Sequence, residues 1–370
     1  MKVPQLEDLG ELNGKNVLVR TDFNVPLSNG EITDDLRIRA ALPTLSWLQE
    51  QGANVTAMSH LGRPKGEPNP KYAMDPVRAR LDELLPGVTL LENLRFNPGE
   101  TSNDPAFVAT LIEGQDMFVN DAFGASHREH ASIVGPPKHL PSVAGRLLCK
   151  EAAILGDVRD NARRPFVAIM GGSKVSDKMA IIDCLLERVD TLLIGGGMSY
   201  TFFAALGNNV GDSLLEESMV EGCRELLART DKIKLPSDTT ALGPGGELFN
   251  PEAGGEVRQM GQSIPDGWSG VDIGPGTAAE YSDIIAEAQT VLWNGPVGVF
   301  EDPRFEAGTK HIAQAMAESS AFTVIGGGDS AAAAKQFGID DQMDHVSTGG
   351  GASLELLEVG DLPGLAVLRS

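Results

Sequence analysis

Along this chain, short runs of β-branched and apolar residues alternate with longer stretches in which apolar positions recur at helical spacing. In the first half, Val17–Arg20, Asn54–Met58 and Met117–Asn120 have the length and composition of strands, and Leu36–Gln49 and Asp75–Leu85 between them read as helices. The second half continues with Phe166–Met170 and a helical stretch over Val175–Arg188. Leu192–Ile194, Val271–Ile273, Val291–Trp293 and Phe322–Ile325 follow, each trailed by glycines and a helix-competent segment. This alternation predicts βαβ units, hence an α/β fold of Rossmann-like type in which mainly parallel sheets are covered by helices.

At roughly 150 residues per domain, 370 residues imply two domains. Pro136, Pro137 and Pro141 precede a helical segment, Leu147–Val158, which reads as a hinge helix joining them rather than a floppy linker. The expected division is residues 1–155 against 156–349.

Charge alters the picture more than any other bulk property. Lys and Arg total 30 against 52 Asp and Glu, a net charge of −22, which disfavours nucleic acid or an anionic membrane as a partner. The imbalance is uneven: residues 1–160 carry −6 and residues 161–370 carry −16, and only 12 of the bases are Lys. No apolar run approaches the roughly 20 residues needed to span a bilayer, and the start MKVPQLEDLG lacks the pattern of a secretion signal. A soluble, cytoplasmic protein is expected. Cys149, Cys184 and Cys223 are widely spaced and read as reduced thiols.

The candidate chemistry lies where predicted strands end. In NVLVRTDFNVP, Arg20, Asp22, Asn24 and Pro26 occupy every second position, so polar groups share one side of an extended segment where a buried strand would carry apolar ones. Arg20 fits either a ligand contact or a buried ion pair. Arg37 and Arg39, His60 and Arg63 in SHLGRP, Arg95 in LENLRF, and Arg128 in ASHREH recur just outside other strand ends. Gathered in one domain, guanidinium forks suit a small, multiply anionic ligand. His127 and His130, with no third ligand near in sequence, read as anion contacts or structure rather than a metal site.

Glycines cluster four times in the second half: Gly171-Gly172, Gly195-Gly196-Gly197, Gly326-Gly327-Gly328 and Gly349-Gly350-Gly351. Such turns let backbone N–H groups approach phosphate oxygens, although tight turns use the same residues. None matches the P-loop or the dinucleotide fingerprint. Lys174 and Lys178 stand four apart, on one face of the predicted helix, where they can address one polyphosphate. Asp329 follows three glycines at a predicted helix start and suits either Mg²⁺ or an N-cap. In WNGPVGVFE, Asn294 and Glu301 are weaker candidates for nucleotide contacts.

These strings, with LENLRF, VNDAFGASHREH, GGSKVSDK, IGGGM, GGGDS and TGGGASLELLE in order, closely resemble phosphoglycerate kinase over essentially the whole chain. The composition resembles an acidic, halophilic archaeal member. The resemblance implies an amino-terminal domain for 3-phosphoglycerate or 1,3-bisphosphoglycerate, completed by residues 350–370, and a second domain for ADP or ATP with Mg²⁺. It assigns Asp22, Phe23, Asn24, Arg37, His60, Leu61, Gly62, Arg63, Arg95 and Arg128 to the acid substrate. It assigns Lys174, Lys178, Gly196, Glu301, Gly327, Gly328, Asp329 and Ser330 to the nucleotide, with Asp329 toward the metal. Arg37, Lys178, Gly328 and Gly351 would surround the phosphoryl group in flight. A monomer that closes about its hinge is implied. Ser330, where relatives usually carry Thr, and Gly276, where they carry a longer side chain, are departures; Gly276 leaves the nucleotide loop's conformation open. The acidic surplus, placed in stretches such as Gly211–Glu225 and Ile339–Asp344 away from the glycine and Lys motifs, is expected to reflect a salt-rich cytosol, where screening is short-ranged.

Overall fold

Phe166–Met170 and Thr290–Asn294 are buried at every position, as strands covered on both faces must be. They lie side by side at the centre of a six-stranded parallel sheet. Its order is Ile233–Lys234, Thr191–Ile194, Phe166–Met170, Thr290–Asn294, Phe322–Ile325, His345–Val346. A five-stranded parallel sheet repeats the plan earlier in the chain: Thr89–Leu90, Asn54–Met58, Asn16–Arg20, Met117–Asn120, Ser142–Ala144. In both sheets the winding direction reverses beside the first strand, which leaves a crevice outside the strands' carboxyl ends. The α/β architecture expected from the alternation is therefore present twice.

The computed structural model describes residues 3–369 and separates into two compact units. One extends to Gly156 and takes back the chain from Gly351; the other is Asp157–Gly350. Among the described residues, no helix is long and apolar enough to cross a membrane.

The strand Val271–Ile273 is not part of a parallel sheet. It belongs to Ser269–Ile273, which pairs antiparallel with Thr239–Leu242, itself antiparallel to Val257–Met260. The connections between these strands contain no α-helix, and a parallel pair normally requires such a crossover. The helix expected over Val175–Arg188 is also shorter, Met179–Leu186. Gly172 at φ +108° and a turn closed by the Lys178 N–H on the Val175 carbonyl (2.9 Å) keep the preceding residues out of it.

The connecting helix runs from Arg146 to Asn161. Its first turn is held by two residues from elsewhere in the first unit. Asp121 Oδ1 accepts the N–H groups of Leu147 (2.9 Å) and Leu148 (3.2 Å), and Thr44 Oγ1 accepts that of Arg146 (2.8 Å). A side chain on Gly145 would overlap the Asp121 carboxylate. Asp121 is wholly buried, its Oδ2 has no partner, and burial pushes its pKa up to about 7 despite bonds from Thr44, Leu148 and Leu147. Its folded pKa thus exceeds the unfolded value, so its stabilising contribution is complete in acid and is lost as pH rises through about 7. Asp121→Asn should remove this dependence. Between pH 5 and 8, urea unfolding of the wild type should weaken by up to about 1.4 kcal/mol per pH unit relative to the variant; parallel profiles would contradict the assignment.

Candidate active site

Two clusters of cations stand at the carboxyl ends of the two sheets, one in each unit. In the first unit, the strand Asn16–Arg20 delivers Arg20 into the interior, where it is 0% exposed. Its Nε donates to Ser132 Oγ (2.8 Å), a further N–H goes to the Thr21 carbonyl, and Nη2 lies 3.1 Å from His60 Nδ1 and 4.0 Å from Glu100 Oε1. Of the two readings open for Arg20, the buried ion pair is the one observed.

Because arginine only donates, His60 Nδ1 must accept and the imidazole carries its proton on Nε2. Burial, together with Arg20, Arg95 and Arg37, holds the His60 pKa well below its usual value, although Asp22 opposes them. The ring is a neutral hydrogen-bond donor.

Asp22 accepts from Arg37, a residue of the helix Leu36–Glu50. Burial raises the carboxyl's pKa, but Arg37 and Arg20 outweigh burial and bring it below the ordinary range. Asn24 Oδ1 accepts the Gly62 N–H (2.8 Å), and the Gly62 carbonyl accepts from Arg95 Nη1 (2.9 Å). Gly62 has φ +60°, and a Cβ there would overlap the Tyr72 ring. Phe23 and Leu61 are buried, so their side chains serve the core; the Phe23 N–H is held by Ser59 Oγ at 2.8 Å.

Arg63, Arg95 and Arg128 line a cavity of about 500 Å³ together with Lys65 and His130. Arg63 and Arg128 are exposed and their guanidinium groups make no hydrogen bond among the described residues, and Arg95 Nε is buried without a partner. His130, whose pKa burial lowers to about 4, has Nδ1 3.7 Å from Glu100. No group of three His, Cys, Asp or Glu side chains placed to hold a metal ion occurs among the described residues.

Gly351 belongs to this unit and Gly349 and Gly350 to the other, so the fourth glycine cluster straddles the boundary. It opens the helix Gly351–Val359, and a Cβ on it would come 3.8 Å from His127 Nε2. The returning chain is fixed by the Gly364 N–H on the Ser126 carbonyl (2.8 Å) and by Asn120 Nδ2 on the Gly364 carbonyl (3.2 Å).

In the second unit, the crevice between Phe166–Met170 and Thr290–Asn294 is lined by backbone. Side chains on Gly171 or Gly295 would overlap the carbonyls of Pro296 and Gly171 respectively, so the two turns touch only because both residues lack Cβ. Gly196, at φ +67°, packs within 2.8 Å of Gly172 and Pro296 by the same measure.

Lys174 and Lys178 do not share a helix face. Lys174 is exposed in the loop, whereas Lys178 is the N-cap of Met179–Leu186, half-buried, with Nζ donating to Asn294 Oδ1. Burial lowers the Lys178 pKa, while Asp329 and Asp177 oppose that shift. Asn294, a weak candidate in sequence, thus orients the lysine.

Gly328 begins the helix Gly328–Gln336, whose N-cap is Gly327, so Asp329 is not the cap. Its carboxylate is exposed in the first turn, close enough to Lys178 to raise that pKa. Ser330 is buried, with Oγ accepting the Gly295 N–H at 2.6 Å, which ties the third glycine turn to the crevice. Glu301 is exposed beyond the strand end.

Gly276 is accommodated by Asp238, whose carboxylate accepts the N–H groups of Gly276 (2.9 Å) and Thr277 (2.7 Å). A Cβ at Gly276 would stand 3.1 Å from that carboxylate, which settles the conformation of this turn. The sequence missed Glu216. It lies in the acidic stretch Gly211–Glu225, yet its carboxylate accepts from both the N–H and the Oγ of Ser176, inside the Lys loop. That stretch is therefore not wholly remote from the motifs. The three cysteines are free thiols.

The phosphoglycerate kinase family model matches residues 6–88 and 86–360. The phosphoglycerate kinase of Rubrobacter xylanophilus is 50% identical, covering 97% of this chain and 96% of that protein. That of Salinispora tropica is 51% identical over 100% of both. Among solved structures, the phosphoglycerate kinase of Coxiella burnetii superposes with a TM-score of 0.89 at 36% identity, covering 100% of this chain and 99% of that one. The enzyme from Pyrococcus horikoshii OT3 gives 0.85 at 30% identity, with 99% and 98% covered. The curated relatives at about 50% identity are bacterial and give an archaeal assignment no support. With the α/β architecture present in both units and similarity running from end to end, the chain belongs to the phosphoglycerate kinase family.

Proposed function

We propose how this phosphotransferase of the phosphoglycerate kinase family divides its reaction, the reversible transfer of a phosphoryl group between 1,3-bisphosphoglycerate and ADP, between its two units. The first unit binds the acid substrate through Arg63, Arg95 and Arg128, with Arg37, Asp22, Asn24 and neutral His60 orienting it and the Phe23, Leu61 and Gly62 backbone shaping the site. The second binds the nucleotide through Lys174, Lys178 and the turns at Gly196, Gly327 and Gly328, with Ser330 bracing the last turn and Glu301 at its edge. One observation carries this division. In a chain of net charge −22, the charged side-chain groups of Arg63, Arg128 and Lys174 are left without an intramolecular hydrogen bond among the described residues, at the carboxyl ends of the two sheets.

In the direction of acyl phosphate formation, the attacking atom is a carboxylate oxygen that is already ionised, so no general base is required. The site accordingly offers cations and N–H donors. Lys178 and Arg37, with the N–H groups of Gly328 and Gly351, stabilise the charge on the phosphoryl oxygens of a loose transition state. Asp329 would hold Mg²⁺; one carboxylate facing a phosphate-binding turn suits an ion that takes its other ligands from phosphates and water, and the bound ion neutralises phosphate charge. Because the reacting groups come from different units, transfer requires closure about the helix Arg146–Asn161, which also excludes water from the acyl phosphate.

The reading includes a cytoplasmic monomer working in concentrated salt, where the acidic surface maintains hydration while a Debye length of about 3 Å at 1 M spares substrates the global repulsion. An enzyme-coupled assay with 3-phosphoglycerate, ATP and Mg²⁺ tests both parts. Turnover is expected, and it should rise with KCl into the molar range. Absence of turnover with this acid would refute the substrate assignment. Full activity and stability in dilute buffer, with no gain from salt, would refute the salt reading.

A further inference from the structure

The loop between Met170 and Met179 carries both lysines, yet its middle is exposed and lies outside any regular element. Two points hold it. Val175 is buried in the unit's core. Next to it, Ser176 is gripped by Glu216: Oε2 accepts the Ser176 N–H at 3.0 Å and Oε1 accepts the hydroxyl at 2.6 Å.

Glu216 is itself presented from fixed ground. Its N–H donates to Thr201 Oγ1 (3.2 Å), in a helix whose Thr201 is 1% exposed, and three residues earlier Ser213 Oγ accepts the Gly270 N–H at 2.8 Å. The segment also closes on the loop at Gly197, where a Cβ would stand 2.8 Å from Leu214 and 3.2 Å from the Ser173 backbone.

We propose that Glu216 is a positioning residue for nucleotide binding, a two-point clamp that holds the loop so that Lys174 faces the polyphosphate. The inference rests on the reading of Lys174 and Lys178 as nucleotide contacts. Lys178 has its own anchor in Asn294, so the clamp governs Lys174 and the loop backbone more than the phosphoryl-transfer step. Burial raises the Glu216 pKa, but the Ser176 and Val175 bonds and the charge of Lys174 more than reverse this, so Glu216 is an anion at neutral pH.

Glutamine can reproduce both contacts, accepting the Ser176 N–H through Oε1 and donating to its hydroxyl through Nε2; alanine can reproduce neither. In steady-state kinetics and ADP calorimetry with Mg²⁺, Glu216→Ala should raise the ADP KM and Kd by about 5- to 10-fold, the loss of two charge-assisted bonds. It should leave kcat within about twofold and the KM of the acid substrate unchanged. Glu216→Gln should restore ADP binding to within about twofold of wild type or better. An unchanged ADP KM in Glu216→Ala, an equal rise in the acid-substrate KM, or failure of Glu216→Gln to restore binding would each overturn the clamp. Lys174→Ala, measured alongside, separates the two claims. If it weakens ADP binding while Glu216→Ala does not, only the clamp fails; if it does not, the nucleotide reading of the loop fails and takes the clamp with it.

Discussion

Replacing Lys178 with alanine is expected to lower kcat by about 10²- to 10³-fold, the usual cost of removing one preorganised donor from a transition-state site. Substrate KM values should move far less. Lys178 Nζ is already directed by Asn294 Oδ1, at the point where the glycine turns of two central strands meet, so its orientation costs nothing extra during reaction. Its partial burial makes each interaction stronger than it would be in water, and Asp329 and Asp177 partly offset the lowering of its pKa by desolvation. Arg37→Ala is the counterpart on the other unit: it should raise the KM of the acid substrate and leave ADP affinity unchanged. Near-normal turnover in Lys178→Ala would remove that residue from the transferring centre, and calorimetry showing that Arg37→Ala weakens ADP would move Arg37 to the other site.

The largest stability effect is expected at Arg20. Arg20→Met fills most of the same volume without the charge, leaving Glu100, 0% exposed, without the guanidinium 4.0 Å away, and leaving His60 Nδ1 without its donor. Breaking one partner of a buried pair costs about 3–5 kcal/mol, because the other charge stays in a medium that cannot solvate it. Glu100 keeps the Ser132 N–H (3.0 Å) and hydroxyl (2.7 Å), which places the loss at the lower end of that range. Urea unfolding should show it as an earlier transition of the first unit. A shift worth less than about 1 kcal/mol would mean that the ion pair is not what holds this end of the strand. His60 gives a second readout, since release from Arg20 should raise its pKa toward the ordinary histidine value, visible by NMR titration.

Much of the fold was legible because its signals are local. Asn54–Met58, Met117–Asn120, Phe166–Met170 and Phe322–Ile325 coincide with observed strands to the residue, since short, nearly continuous apolar runs bounded by turn residues leave little choice of limits. The Val175–Arg188 helix was too long because Val175 and Ile182, seven residues apart, fit a helical period, while Gly172 and the turn over residues 175–178 resist it. The three-stranded antiparallel sheet was reduced to one strand because Thr239–Leu242 and Val257–Met260 carry too many polar residues to read as buried.

For the candidate site, the sequence by itself determined residue types and their approximate addresses: arginines, a histidine and glycine turns placed just beyond apolar runs, in a chain otherwise poor in bases. Tertiary structure alone decided which cations are committed to partners within the chain and which are not. Arg20 meets Ser132, 112 positions away, whereas the guanidinium groups of Arg63 and Arg128 make no hydrogen bond to a described residue. Lys178 is directed by Asn294, 116 positions on, and Ser176 is clamped by Glu216, 40 positions on. Side-chain periodicity is a property of a few consecutive residues and survives in a linear reading. The pairing of charges depends on how parallel strands are ordered and on which turns meet at their ends, and that order exists only after the sheets have formed.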